Sequence, residues 1–179
     1  QLGVCPQANL VFNELTAVEN LKLMSAIKGI PVSETDKCIK HVLECADLSG
    51  RSQERVSKFS GGMLRRLSIA VAAIGSPKVM LFDEPSAGLD PLHAHATNEL
   101  LQRLKPDRAV VICTHSMETA DALGDKVAII AAGQLLVLAT PQELKNAYGG
   151  GYRFRLTAKA GCANSAIRGL CATSGVPSL

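Results

Sequence analysis

Four apolar residues in a row, Val79-Met80-Leu81-Phe82, limit the architectures open to this chain more than any other stretch in it. The run stops abruptly at Asp83-Glu84-Pro85. An apolar run with no polar alternation reads as a strand covered on both faces, the habit of parallel sheets. Residues 109–113 repeat the pattern and stop at Thr114-His115. Between the two runs, Asp90 reads as a helix cap with Pro91 at the first helical position, and the helix should reach about residue 104. Strand, helix and strand in that order predict an α/β layered fold with a mainly parallel sheet. Ligands in such sheets gather at the carboxyl ends of the strands. Asp83, Glu84 and His115 all fall at such ends.

The remaining elements fit around this unit. Residues 2–5 read as a strand ended by Pro6-Gln7. Thr16 and Glu19 fit a capping box for a helix ending at Gly29. A second helix, with Ser33 as its cap, places Ile39, Val42, Leu43 and Ala46 on one face. Residues 48–58 are polar and irregular. Phe59-Ser60-Gly61-Gly62 opens a third helix over 63–74. Residues 15–75 therefore read as a helical subdomain inserted in the sheet. Ser116 caps a short helix that stops at Gly124. Residues 127–131 and 135–139 flank a hairpin turn. Thr140 and Glu143 form another capping box, and residues 152–158 alternate like a half-buried strand. Residues 1–157 are expected to form the main domain and 158–179 a weakly structured tail.

Composition excludes several classes. The chain has 179 residues, 47% hydrophobic and 20% charged, close to the globular average, so it is neither disordered nor fibrous. Its net charge is +3, with no basic run to grip nucleic acid. Aromatics make up 3%, which leaves little for base stacking. Six cysteines form no Cys-x-x-Cys pair, arguing against a zinc site and for a reducing compartment. The longest apolar stretch, 127–140, is too short to cross a bilayer and is interrupted by Gly133-Gln134. The chain shows no signal peptide and opens on Gln1 rather than Met, which suggests a missing beginning.

Several local patterns suit phosphate chemistry. A carboxylate at the mouth of a strand, here Asp83, can hold Mg²⁺, usually through water. A neighbouring carboxylate, Glu84, can polarise an attacking water. Ser60-Gly61-Gly62 at a helix start offers free N–H groups and the positive end of the helix dipole, with Met63-Leu64-Arg65-Arg66-Leu67-Ser68 behind it. His115 can donate to a terminal phosphate. The amide of Gln7 can touch both a metal and a water. Each pattern is weak alone.

Their order is not weak. Gln7, Ser60-Gly61-Gly62, Asp83-Glu84, the segment Ser86-Ala87-Gly88-Leu89-Asp90 and His115 resemble the ATP-binding-cassette (ABC) ATPases in sequence and spacing. In that family these are the Q-loop, the signature motif, Walker B with its catalytic Glu, the D-loop and the switch His. Five segments in register over about 110 residues are specific. Cys5-Pro6-Gln7-Ala8-Asn9, Phe12-Asn13-Glu14-Leu15-Thr16, Phe59-Ser60-Gly61-Gly62-Met63 and Leu123-Gly124-Asp125-Lys126 look like the A subfamily, whose members move lipids across membranes. Phe59 and Met63 depart from the wider family's Leu and Gln. No Gly-x-x-x-x-Gly-Lys-Ser/Thr occurs in the chain, so the resemblance implies a partial P-loop NTPase-like core lacking its phosphate-binding loop.

The resemblance further implies a head-to-tail sandwich of two ABC ATP-binding domains around ATP and Mg²⁺. Asp83 and Gln7 would serve the metal. Glu84 would activate the attacking water, with His115 on the γ-phosphate. Ser60, Gly61, Gly62 and Met63 would face the partner's nucleotide, and Asp90 would help link the two sites. Transmembrane domains and a lipid substrate would complete a transporter, with this cassette on the cytoplasmic face of a membrane and no role for nucleic acid. A soluble ABC ATPase of ribosome or DNA type, and a non-catalytic module that pairs with an intact ABC domain, are the rival readings. Too little chain separates Gln7 from Ser60 for the long coiled coil of the DNA type.

Overall fold

The computed structural model describes residues 2–149. The expected strand over 152–158 and the tail over 158–179 lie outside them. The chain divides into two compact units at Glu143/Leu144. Of the second unit only residues 144–149 are described, where helix α6 (Pro141–Tyr148) ends.

Three parallel strands frame the first unit. They are β1 (Leu2–Cys5), β2 (Val79–Asp83) and β3 (Ala109–Cys113), in the order β1-β2-β3. The register pairs Cys5 with Phe82 and Asp83 with Cys113, so the three carboxyl ends lie side by side. The segment between β1 and β2 is helical: α1 (Ala17–Ile27), α2 (Val32–Cys45), two short 3₁₀ turns and α3 (Gly61–Ala73). Among the described residues, the Thr16–Arg55 bridge is the isolated strand-like pairing there. Next come α4 (Pro91–Leu104) and α5 (Met117–Leu123). The hairpin β4 (Val127–Ala131) and β5 (Gln134–Ala139) closes the unit. Ala132 and Gly133, with φ of 49° and 75°, form its two-residue turn, the left-handed pair such hairpins need.

The caps follow the sequence with one correction. Thr16 Oγ1 accepts from Glu19 N and the Glu19 carboxylate accepts from Thr16 N, a complete capping box. Asp90 and Ser116 cap α4 and α5. Ser33, expected to cap α2, lies inside it. The helix starts at Val32 behind Pro31, which bonds no first-turn N–H through its side chain. Proline's fixed φ sets the entry there without a side-chain acceptor.

Helix α3 is the central element. Leu67, Ile69, Ala70 and Ile74 are fully buried, and its neighbours contribute Leu21, Leu43, Phe82 and Leu100. A Cβ on Gly3 would run into the Ala72 carbonyl and Pro77, so this strand position must be glycine for α3 to lie so close. Lys28 Nζ donates to the carbonyls of Val71, Ala72 and Ile74 at the C-terminus of α3, where a cation meets the negative end of the dipole. Burial there pulls the Lys28 ammonium below the usual lysine range.

The expectation that the strands are covered on both faces fails. Cys5, Met80 and Phe82 are buried, but Val4 and Val111 are half-exposed and Leu81 is 36% exposed. A continuous apolar run records a demand for cover on both faces. Among the described residues, helices answer it on one.

Candidate functional site

The strand ends bring Glu84 and His115 into contact across thirty-one residues of sequence. β2 and β3 pair through Asp83 and Cys113, so the residue after each strand lies beside the other. Glu84 N then donates to Cys113 O at 2.8 Å. This turns Glu84 to φ 45°, a left-handed conformation that a side chain adopts at some cost. The turn aims its carboxylate back at β3. Oε1 accepts from His115 N at 2.9 Å and meets His115 Nδ1 at 2.8 Å, while Oε2 accepts from Thr114 Oγ1 at 3.2 Å.

The electrostatics follow from this geometry. Partial burial pushes the Glu84 carboxyl up. The bonds from the His115 ring, the His115 N–H and Thr114 outweigh it and hold the group below the usual carboxylate range. Glu84 is therefore ionised near neutrality and acts as acceptor, so Nδ1 of His115 carries the proton between them. Nε2 is left as the outward nitrogen of a ring whose side chain is 81% exposed. To serve Glu84 and donate to a phosphate together, His115 must hold protons on both nitrogens.

Asp83 lies exposed at the end of β2, next to this pair. Gln7 is exposed just past β1. Among the described residues, no group of three or more His, Cys, Asp or Glu forms a metal cage. The donor set fits a hard cation that draws most of its ligands from water and phosphate oxygens, as Mg²⁺ does.

Ser60 and its glycines form the first turn of α3. Ser60 is the N-cap and its Oγ accepts from Met63 N. The helix starts at Gly61, two residues before the expected start at 63, so both glycines are helical. Gly61 is exposed and open, whereas Gly62 is buried beneath the ring of His93, which a Cβ there would strike. Asp90 fixes that ring. Its Oδ1 accepts from Leu92 N and His93 N, and Oδ2 pairs with His93 Nδ1. The backbone and ring bonds of His93 hold the Asp90 carboxyl below its ordinary range against a small desolvation effect. His93 joins the α4 cap to the start of α3, and sequence reading missed it.

Arg65 was also missed as a site residue in its own right. It is 4% exposed, and all its bonds run to main-chain carbonyls. Nε donates to Pro85 O, Nη1 to Pro6 O and Gln7 O, and Nη2 to Asp83 O and Glu84 O, at 2.7–3.0 Å. The available signal was phase: Arg65 stands three residues after Gly62 and four before Ile69, on the buried face of α3. A charge in that phase asks for buried partners.

Comparison with known proteins agrees with this layout. The ABC transporter family model matches residues 1–87, from β1 through the turn after β2. ATP-binding cassette sub-family A member 2 of Rattus norvegicus is 41% identical over 155 residues, 87% of this chain and 6% of that protein. ABC transporter A family member 9 of Arabidopsis thaliana is 40% identical over 151 residues, 84% of this chain and 16% of that protein. Cholesterol transporter ABCA5 of Homo sapiens is 37% identical over 169 residues, 94% of this chain and 10% of that protein. The chain thus spans only a small part of the length of the curated relatives it matches. With its motifs in order on a parallel α/β sheet and these matches along most of its length, the chain belongs to the ABC transporter family, alongside members of the A subfamily.

Proposed function

We propose that this chain supplies part of an ATP-hydrolysing cassette that powers lipid transport across a membrane. The observation that carries the reading is the Glu84–His115 pair at the ends of adjacent parallel strands, with Asp83 beside it. In this reading Asp83 and the Gln7 amide would hold Mg²⁺, which would neutralise charge on the phosphates of ATP. Glu84 takes a proton from the attacking water, and His115 passes from Glu84 to the γ-phosphate as it does so. Ser60, Gly61, Gly62 and Met63 face the nucleotide of a second ABC ATP-binding domain, and Asp90 links the two sites. Phosphoryl transfer asks a protein mainly for positioning and charge neutralisation, which these groups can provide.

The partners follow from the same reading. Transmembrane domains of the same or another chain would carry the lipid, with this cassette on their cytoplasmic side. No described helix is long and apolar enough to cross a membrane. The name of one relative, a cholesterol transporter, supports a lipid substrate.

The test is Glu84→Gln in the longer protein that carries this cassette. Turnover should fall about 10²–10⁴-fold, the scale of a general base, with ATP binding retained. Unchanged hydrolysis would sink the assignment. The 179-residue chain lacks the Gly-x-x-x-x-Gly-Lys-Ser/Thr loop and should by itself bind ATP poorly and hydrolyse none. Mg²⁺-dependent turnover by the purified chain would contradict this.

A further inference from the structure

Arg65 has five N–H donors, and each goes to a different carbonyl oxygen. Those oxygens belong to two segments far apart in sequence. Pro6 and Gln7 follow β1. Asp83 ends β2, and Glu84 and Pro85 follow it. No carboxylate pairs with the guanidinium through these five bonds, so carbonyl dipoles carry its charge. A planar fork that satisfies five acceptors at once fixes their mutual positions in a way that a point charge cannot. Arg65 itself rides on α3, one turn from Ser60, Gly61 and Gly62.

We propose that Arg65 is a positioning residue for hydrolysis, a strut that makes the loop of Gln7, the turn of Glu84 and the start of α3 move as one body. The proposal rests on the ATP-hydrolysing reading above. Without the strut, β1 and β2 still pair, but the residues just beyond their ends lose the common anchor. Glu84 depends on it most. Its left-handed backbone leaves β2 at the carbonyls that Arg65 holds, and its carboxylate must sit at a set distance from both His115 and the attacking water. A shift of Gln7 would reach Ser60 by a path of one side chain. Neither Gln7 nor Glu84 could then reorganise unless the signature helix followed.

Arg65→Lys tests this, since one ammonium with three donors cannot reach all five oxygens. Amide hydrogen exchange of the 179-residue chain should speed up about tenfold or more at Glu84 and Ala87, whose N–H groups bond Cys113 O and Glu84 O, with residues 67–73 unchanged, and the backbone NMR signals of residues 7–9 should shift or broaden. A response at one loop alone, or at neither, overturns the strut. In the longer protein carrying the cassette, kcat should fall about 10- to 100-fold, the usual penalty for a misplaced catalytic group. KM for ATP should stay within about twofold. A raised KM with unchanged kcat overturns the positioning role. If the wild-type protein hydrolyses no ATP, the ATPase reading fails and the hydrolytic role of Arg65 with it, while the exchange and NMR results still decide whether the two loops are coupled. Should Arg65→Lys fail to fold, NMR of the wild-type guanidinium decides. Slow exchange and restricted rotation at all three nitrogens support the strut, and a freely turning Nη pair overturns it.

Discussion

The two halves of the candidate site hold their charged groups by opposite means. At the strand ends, Glu84 is held by His115, an exposed side chain that can swing away. Under α3, Arg65 is buried and every donor is taken by main chain. The strand-end pair can change partners at little cost, because water replaces each lost bond. The Arg65 cluster cannot, because the guanidinium is buried and a single side chain serves five carbonyls at once. On the proposed reading, His115, which changes partners during hydrolysis, lies at the surface, and Arg65, which aims the loops, is buried.

That contrast predicts a large difference in stability between two substitutions. Arg65→Met removes five bonds and leaves carbonyls without donors. It should lower unfolding free energy by about 2–4 kcal/mol, read as a reduced denaturant midpoint. His115→Ala touches an exposed ring and should change stability by about 0.5 kcal/mol or less. Equal losses would erase the distinction between frame and moving parts.

The sequence made one half of this contrast more legible than the other. Glu84 and His115 were readable as strand-end residues because apolar runs mark strands and a polar stop marks their ends. Their contact was not readable, since it depends on the register that sets Asp83 beside Cys113. Caps made from consecutive residues, such as Thr16 with Glu19 and Asp90 ahead of Pro91, are local and were foreseen. The Arg65 cluster joins residues 6, 65 and 85, and no local pattern encodes it. The cover of the sheet was misread for a related reason. Leu81 and Val111 are as apolar as Met80 and Ile112, and hydrophobicity alone does not say what lies over them.

The strand-end pair should also make itself felt in the pH dependence of stability. The Glu84 carboxyl lies below its ordinary value in the folded chain. Its stabilising effect is therefore full above the unfolded carboxylate pKa, about 4.3, and is lost as pH falls through the lower folded value. Denaturant midpoints of wild type and Glu84→Gln should differ above that range and converge as pH falls through it. A gap that persists at the acid end would mean that bonds independent of the charge hold the turn. Thr114→Val, which removes one of the carboxylate's donors, should shift the convergence upward.

An effect smaller than the loss of Arg65 is expected at His93, which is neither fully exposed nor buried. Its ring is about one third exposed, yet it lies over buried Gly62 at the start of α3 and bonds the Asp90 cap of α4. His93→Ala removes the ring but keeps the His93 backbone bond to Asp90, so α4 stays capped and stability should fall by about 1 kcal/mol or less. The carboxyl of Asp90, now without its ring partner, should titrate at higher pH by NMR, because one of the contacts that hold it down is gone. The same variant opens space above Gly62. A Cβ there clashes with the ring, so Gly62→Ala should cost less stability in His93→Ala than in wild type, a coupling a double-mutant cycle can read. Strict additivity would show that the ring moves aside freely. His93 would then belong with the mobile strand-end groups rather than with the frame.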